Sequence, residues 1–226
     1  MPLTKTDKER KTIIDKAHSG DTFYGALFQD SPTSATFTAD YATNTLTSNT
    51  DFVNGSRIQV SNVGGGLPNG LAPTTTYRVI QASGSAPQSY KLSTEAAYNR
   101  ATKTGTAISL ENNGSGTHTI TEQALAAADD LDVWARKEAV YNGSGRQSFT
   151  VGSASEGNPA TTTTASMTFT PTTGDTPTIT YRYFGVLRDA ASTTGNSTGS
   201  LVGFEDFLTT QTITAAGKQF TYQVQF

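Results

Sequence analysis

Short runs of alternating apolar and polar residues recur along this chain, each soon closed off by Gly, Asn, Pro, Ser or Asp. Period-two alternation marks a half-buried β-strand, and many short strands in succession close into a sandwich or barrel. A first strand is expected over residues 22–29 (TFYGALFQ). Between residues 36 and 121 the candidate strands are TFTA, NTLTS, RIQVSN, TYRVIQ, SYKLS, AISL and THTIT. Asn54-Gly55, Asn69-Gly70 and Asn113-Gly114 are the dipeptides that supply positive φ in tight hairpins. Composition agrees. The chain is rich in Thr, with 35% hydrophobic and only 15% charged residues, and branched and aromatic side chains suit a pleated, half-buried surface.

The pattern is clearer after residue 139. Phe149 and Val151 share one face of QSFTV, and Ala165, Met167 and Phe169 alternate with polar neighbours. Ile179, Tyr181 and Tyr183 share a face of the next run. In the last one Phe220, Tyr222, Val224 and Phe226 are expected inward, with Thr221, Gln223 and Gln225 outward. Residues 159–164 and 190–200 read as loops.

Two segments break the β pattern. Residues 4–17 predict a short helix, with Thr4 and Asp7 as a capping box and Gly20 just beyond the end. Eight charges crowd between Lys5 and Lys16, and the apolar stripe is thin. Either this is a solvated helix, or it is an arm that docks on a neighbouring subunit through Lys5, Lys8, Arg10, Ile13 and Ile14. Residues 122–138 (EQALAAADDLDVWARKE) predict one or two helical turns, with Trp134 as a packing anchor.

The fold class expected is all-β: a β-sandwich, jelly-roll or immunoglobulin-like, with a short N-terminal helix and an inserted small β-barrel or sandwich module. Strand 22–29 lacks local partners, whereas the region after 139 lacks an early strand. Residues 1–35 with 122–226 are therefore read as one discontinuous domain. Residues 36–121 are read as a module inserted at a loop tip, where an insertion costs little.

Chemistry is sparse. There is no Cys, and only His18 and His118, so thiolate metal sites are excluded and a Ser–His pair is poorly supported. Asp129, Asp130 and Asp132 cluster without the Asp-x-Asp-x-Asp-Gly pattern of a Ca²⁺ loop and are read as capping the Trp134 helix. Glu205 and Asp206 are adjacent on a strand and so face opposite ways, unlike a glycosidase acid pair. Gly64-Gly65-Gly66 lacks phosphate-loop spacing and reads as a wide turn. Tyr24, Tyr41, Tyr98 and Tyr141 read as surface or partly buried residues rather than a sugar-stacking platform. No catalytic, metal or cofactor residue is assigned. A net charge of −3 and a pI near 5.3 give no field for nucleic acid or an anionic membrane. No apolar stretch is long enough to span a bilayer, and no secretory leader is visible, so folding in a cytoplasm is expected.

Gly66, Leu67, Pro68, Gly70, Leu71, Thr75, Thr76, Tyr77 and Val79, with Leu92-Ser93 and Gly114, Gly116, Thr117 and His118, resemble a small β-module of phage tail and virion proteins. The frame around it (YGALFQDSPT, YNGSGRQSFT, ASMTFTPTT and the strand after ITAAGKQF) resembles a group of short phage structural proteins. Where that group reads Gly-Tyr-x-Arg-Gln, this chain has Gly143-Ser144-Gly145-Arg146-Gln147, with Tyr141 displaced. The resemblance implies a non-enzymatic virion protein assembled in a bacterial cytoplasm. It would be a capsid decoration (cement) protein, a tail, neck or fibre-adaptor component, or a carbohydrate-binding adhesin. Its partners would be major capsid or tail proteins and copies of itself.

Overall fold

The computed structural model describes residues 22–29, 32–126, 129–139, 146–149, 167–169, 179–188, 200–213 and 220–222. The protein is all-β and divides into two compact units, residues 1–29 with 137–226, and residues 30–136.

The second unit is a closed antiparallel barrel. Its strands are β2 (Ser34–Asp40), β3 (Thr45–Ser48), β4 (Arg57–Val63), β5 (Tyr77–Ser83), β6 (Gln88–Thr94) and β9 (Thr117–Glu122). Their order around the ring is β2-β3-β6-β5-β4-β9, and β9 pairs back onto β2 through Ser34–Thr121 to Phe37–His118. Between β6 and β9 lie a 3-10 turn (Glu95–Ala97) and the short ladder of β7 (Tyr98–Asn99) and β8 (Thr104–Gly105), and the short helix α1 (Leu131–Arg136) follows β9. Alternation decides what faces inward. Phe37 on β2, Leu46 on β3, Ile58 and Val60 on β4, and Ile120 on β9 are buried, while Thr36, Thr38 and Thr117 are exposed. Each large apolar side chain so removed from water contributes about 1.5–3 kcal/mol. Phe52 meets Tyr90 edge to face with ring centroids 5.5 Å apart. The Tyr90 hydroxyl donates to Ser48 Oγ at 3.1 Å, and burial pushes its phenol up to about 12.

Three expectations change here. AISL is no strand. Residues 107–110 run beside the barrel with Ile108 N–H bonded to Leu92 O and Leu110 N–H bonded to Asn44 Oδ1, and Leu110 is buried. Gly55, Gly70 and Gly114 each take positive φ, but none of the three dipeptides forms a two-residue hairpin; all three lie in longer loops, Asn69-Gly70 in the one between the paired strands β4 and β5. The barrel unit also extends past residue 121 to Arg136, because ion pairs described below tie residues 124–136 to β4 and β5.

In the other unit β1 (Phe23–Phe28) lies between β10 (Gln147–Phe149) and β12 (Ile179–Arg188), and β12 pairs onward with β13 (Ser200–Ile213). The partners that β1 lacks locally thus come from the far end of the chain. With a strand on each side and buried side chains at five of six positions, β1 is a nearly continuous apolar run rather than an alternating one. β11 (Met167–Phe169) pairs with β14 (Phe220–Tyr222) as a second sheet. Phe169 meets Phe184 of the first sheet edge to face at 6.2 Å, and Phe23 stacks on Phe149 at 5.6 Å. Two sheets meeting through such side chains form a sandwich core. Between Tyr181 and Tyr183 the register slips, and β13 bulges. Leu208 there takes φ +63 and is 79% exposed, with its N–H donating to Asp206 Oδ1 and Asp206 paired to Arg182. The Arg182 hydrogen bond holds the Asp206 carboxyl below its ordinary range.

The expected N-terminal helix with Lys5, Lys8, Arg10, Ile13 and Ile14 lies outside the described residues, as do His18, Tyr141, Val151, Ala165, Val224 and Phe226 and the loops 159–164 and 190–199. The inward faces expected of Ile179, Tyr183, Phe220 and Tyr222 rest on side chains that are likewise outside them; Tyr181 and Met167 are buried.

Candidate functional site

The barrel wall carries a groove of about 400 Å³. It forms where β2 and β9 end their pairing at Phe37–His118 and the chain turns out on either side. Thr36 and Thr38 of β2, Asn49 after β3, Pro87 before β6, and Gly116-Thr117 at the start of β9 border it, with Phe37 and His118 at its base. All border residues are uncharged.

His118 is held firmly. Its ring stacks on Phe37 with centroids 5.2 Å apart. Asn62 Nδ2 lies 2.8 Å from His118 Nδ1 and also donates to Ser115 O at 2.7 Å, and His118 Nε2 lies 3.1 Å from Asn113 O. A carbonyl can only accept, so this network assigns the proton to Nε2 and leaves Nδ1 to accept from the amide. Both ring nitrogens are engaged in joining loops, which explains the Gly-x-Gly-Thr-His spacing. At Gly116 (φ +82) a Cβ would lie 2.5 Å from Val63 O, and at Gly114 (φ +71) one would lie 2.6 Å from Gly66 O. The segments 63–70 and 109–116 therefore pack backbone against backbone. Gly66, Gly70, Gly114, Gly116 and His118 build this clasp.

At the opposite end of β4 and β5 lies a buried ion network. Arg78 on β5 is fully buried. It donates to both carboxylate oxygens of Glu95 at 2.7 Å, to Asp129 at 3.0 Å and to Gly55 O at 2.7 Å. Arg57 on β4 donates to the same Asp129 at 2.7 Å and to Ala124 O. Tyr98 packs its ring against the Arg78 guanidinium, 5.5 Å from the centroid, and donates its hydroxyl to Asp130 at 2.6 Å. Tyr98, expected at the surface or partly buried, is buried. Burial alone would lower the Arg78 pKa, but the Glu95 and Asp129 carboxylates raise it on balance. The hydrogen bond from Arg78 holds Glu95 below its ordinary range, and burial together with Asp130 pushes Tyr98 up.

The acidic cluster is thus part of the fold. Asp129 binds two arginines, and its Oδ2 accepts from Ala126 N–H; Asp130 accepts from Tyr98; Asp132 pairs with Lys103. Side-chain capping of α1 was expected from these residues. The bonds onto α1 come instead from the Asp130 main-chain carbonyl, which accepts from Val133 and Trp134. Trp134 itself is fully buried, with Nε1 donating to Ala126 O at 3.3 Å. Arg136 pairs with Glu122 and donates to Asp51 O. Among the described residues no three His, Asp or Glu side chains gather as a metal ligand set. In the other unit Arg146, from the variant Gly143–Gln147 motif, is buried against Glu138 at 3.0 Å. Glu205 is exposed, whereas Asp206 pairs with Arg182.

No family model, curated protein or solved structure matches this chain.

Sequence reasoning missed the groove because its residues come from β2, β3 and β9 and from three loops beside strands, and only pairing register brings them together. The TFT and THT runs were the available signal, since Thr on alternate positions beside a buried Phe or His places hydroxyls on an outer wall.

Proposed function

We propose that this chain is a non-enzymatic structural protein of a bacteriophage particle, acting as a capsid decoration protein that binds between capsomers. The observation that carries this reading is the use made of the reactive side chains. His118 and the Asp129–Asp132 cluster, the strongest chemical candidates in the sequence, are engaged in holding loops and strands together. The clasp built from the motif residues supports the resemblance to virion β-modules, because it gives those residues a shared structural purpose. Such a protein stabilises its shell by mass action: binding only the assembled form shifts the equilibrium toward it. Its partners are the major capsid protein and further copies of itself, and it resides in the virion.

Immunogold electron microscopy of intact particles of the phage encoding the chain tests this. Gold spread over the head is the expected result. Gold confined to tail or neck replaces decoration by a tail component, and unlabelled particles remove the virion reading altogether.

A further inference from the structure

We propose that the groove beside Phe37 and His118 is a binding site for a neutral saccharide. Thr36, Thr38, Asn49 and Thr117 border it, all four are exposed, and none of their side chains is hydrogen-bonded to another described residue. Thr47 and Ser48 also line the groove but are engaged, with Ser89 and Tyr90 respectively, as are threonines elsewhere in the barrel such as Thr43, Thr94 and Thr102. Unengaged hydroxyls and an amide therefore converge on a concave surface, as both donors and acceptors.

The charge of the site narrows the ligand class. No Asp, Glu, Lys or Arg lines the groove, so an ionic ligand would lose hydration without gaining a counter-charge. What remains is a mixture of hydroxyls with the apolar surfaces of Pro87 and the Phe37–His118 pair. A sugar ring offers the same mixture, hydroxyls around its rim and C–H groups on its faces. The size, about 400 Å³, lies within the span of small-ligand sites, roughly 300–1,000 Å³. The base is fixed in advance by the ring stack and by both His118 nitrogens, which lowers the ordering cost of binding. The inference does not depend on where in a particle the chain resides.

The test is saturation-transfer NMR with calorimetric titration of the full chain. Lactose, maltotriose and N,N′-diacetylchitobiose serve as neutral probes and a hyaluronan hexasaccharide as the acidic comparator. At least one neutral probe is expected to bind with millimolar affinity and more tightly than hyaluronan. The pair of substitutions Thr38→Val and Thr117→Val keeps shape while removing two hydroxyls, and is expected to weaken that binding about tenfold or more. Thr104→Val, away from the groove, is expected to leave it unchanged. Trp134 fluorescence in thermal melts checks folding, and Asn49→Ala provides a second variant on a loop should the strand substitutions unfold the barrel. Absence of binding by all three neutral probes overturns the proposal. So does hyaluronan binding as tightly as they do, or neutral binding that survives in the folded variants.

Discussion

The two units bury arginine–carboxylate pairs in contrasting ways. In the unit that holds β1, Arg146 and Glu138 are eight residues apart in sequence. In the barrel Arg78 reaches Glu95 seventeen residues away and Asp129 fifty-one away, and Arg57 reaches Asp129 from seventy-two. A pair close in sequence constrains only a short stretch of chain. A pair closed over long loops fixes topology, because the chain after β9 must return to β4 and β5 to neutralise them. Buried ions are poor sources of net stability but strong enforcers of arrangement when breaking them strands a charge.

The largest effect that would break this comparison is Arg78→Met. It leaves the buried Asp129 with Arg57 alone and the exposed Glu95 with Arg100 alone, and should cost the barrel about 3 kcal/mol. The sole tryptophan, Trp134, lies in this unit, so urea unfolding followed by its fluorescence reads the barrel selectively. Adding Asp129→Leu should not restore stability, since Arg57 then loses its carboxylate. The matching double substitution Arg146→Met with Glu138→Leu should cost less, by calorimetry, than either single substitution, because neither member is then left facing an empty partner. Recovery in the barrel double variant would show that its network is no more than a set of separate pairs.

A smaller effect separates glycines of the same barrel. Gly116→Ala meets Val63 O and keeps an unfavourable φ, and should cost about 3 kcal/mol. Gly84 has φ +76 but open space around it, so Gly84→Ala should cost only about 1 kcal/mol, the left-handed penalty alone. Equal losses in urea titrations would remove the steric basis of the clasp.

The smallest effect appears only in alkali. The Tyr90 pKa is raised by burial to about 12, so the fold favours its neutral form. That contribution is fully present below the ordinary phenol value near 10 and is lost as pH rises toward the folded value. At pH 11 Tyr90 alone should withdraw about 1 kcal/mol from the barrel, and the raised Tyr98 acts in the same direction. Replacing Tyr90 by Phe should flatten the fall of Trp134-monitored stability between pH 10 and 12, and an unaltered profile would remove Tyr90 as its source.

Much of the barrel was legible because its strands alternate cleanly. RIQVSN, SYKLS and THTIT each bury every second residue for most of their length. The short helix around Trp134 was legible too. AISL misled because its hydrophobicity serves burial without a ladder: Leu110 packs onto the core while Asn44 takes its N–H. The bulge at Leu208 had no marker, since no Gly or Pro announces the left-handed residue and only the Arg182–Asp206 pair across the strands supports it. Tyr98 was expected at the surface or partly buried; it is buried against Arg78, which a reading along the chain cannot bring beside it. The groove was hidden for the same reason. Its hydroxyls are visible in TFT and THT, but their convergence depends on the Phe37–His118 register.

Closure of β9 onto β2 has a consequence for how such a unit behaves in company. Every strand of the ring has a neighbour on each side, with β4 and β5 joined only at Arg57–Arg78 and Ile58–Tyr77, so the wall presents little continuous backbone for another chain to extend. A polypeptide built this way is a self-contained cassette. It asks no strand of its host, and many copies can be crowded together without templating one another into fibrils. Contact between neighbours then has to be made by side chains alone, which leaves the threonine-lined outer wall free to vary with the partner while the ring beneath it stays the same.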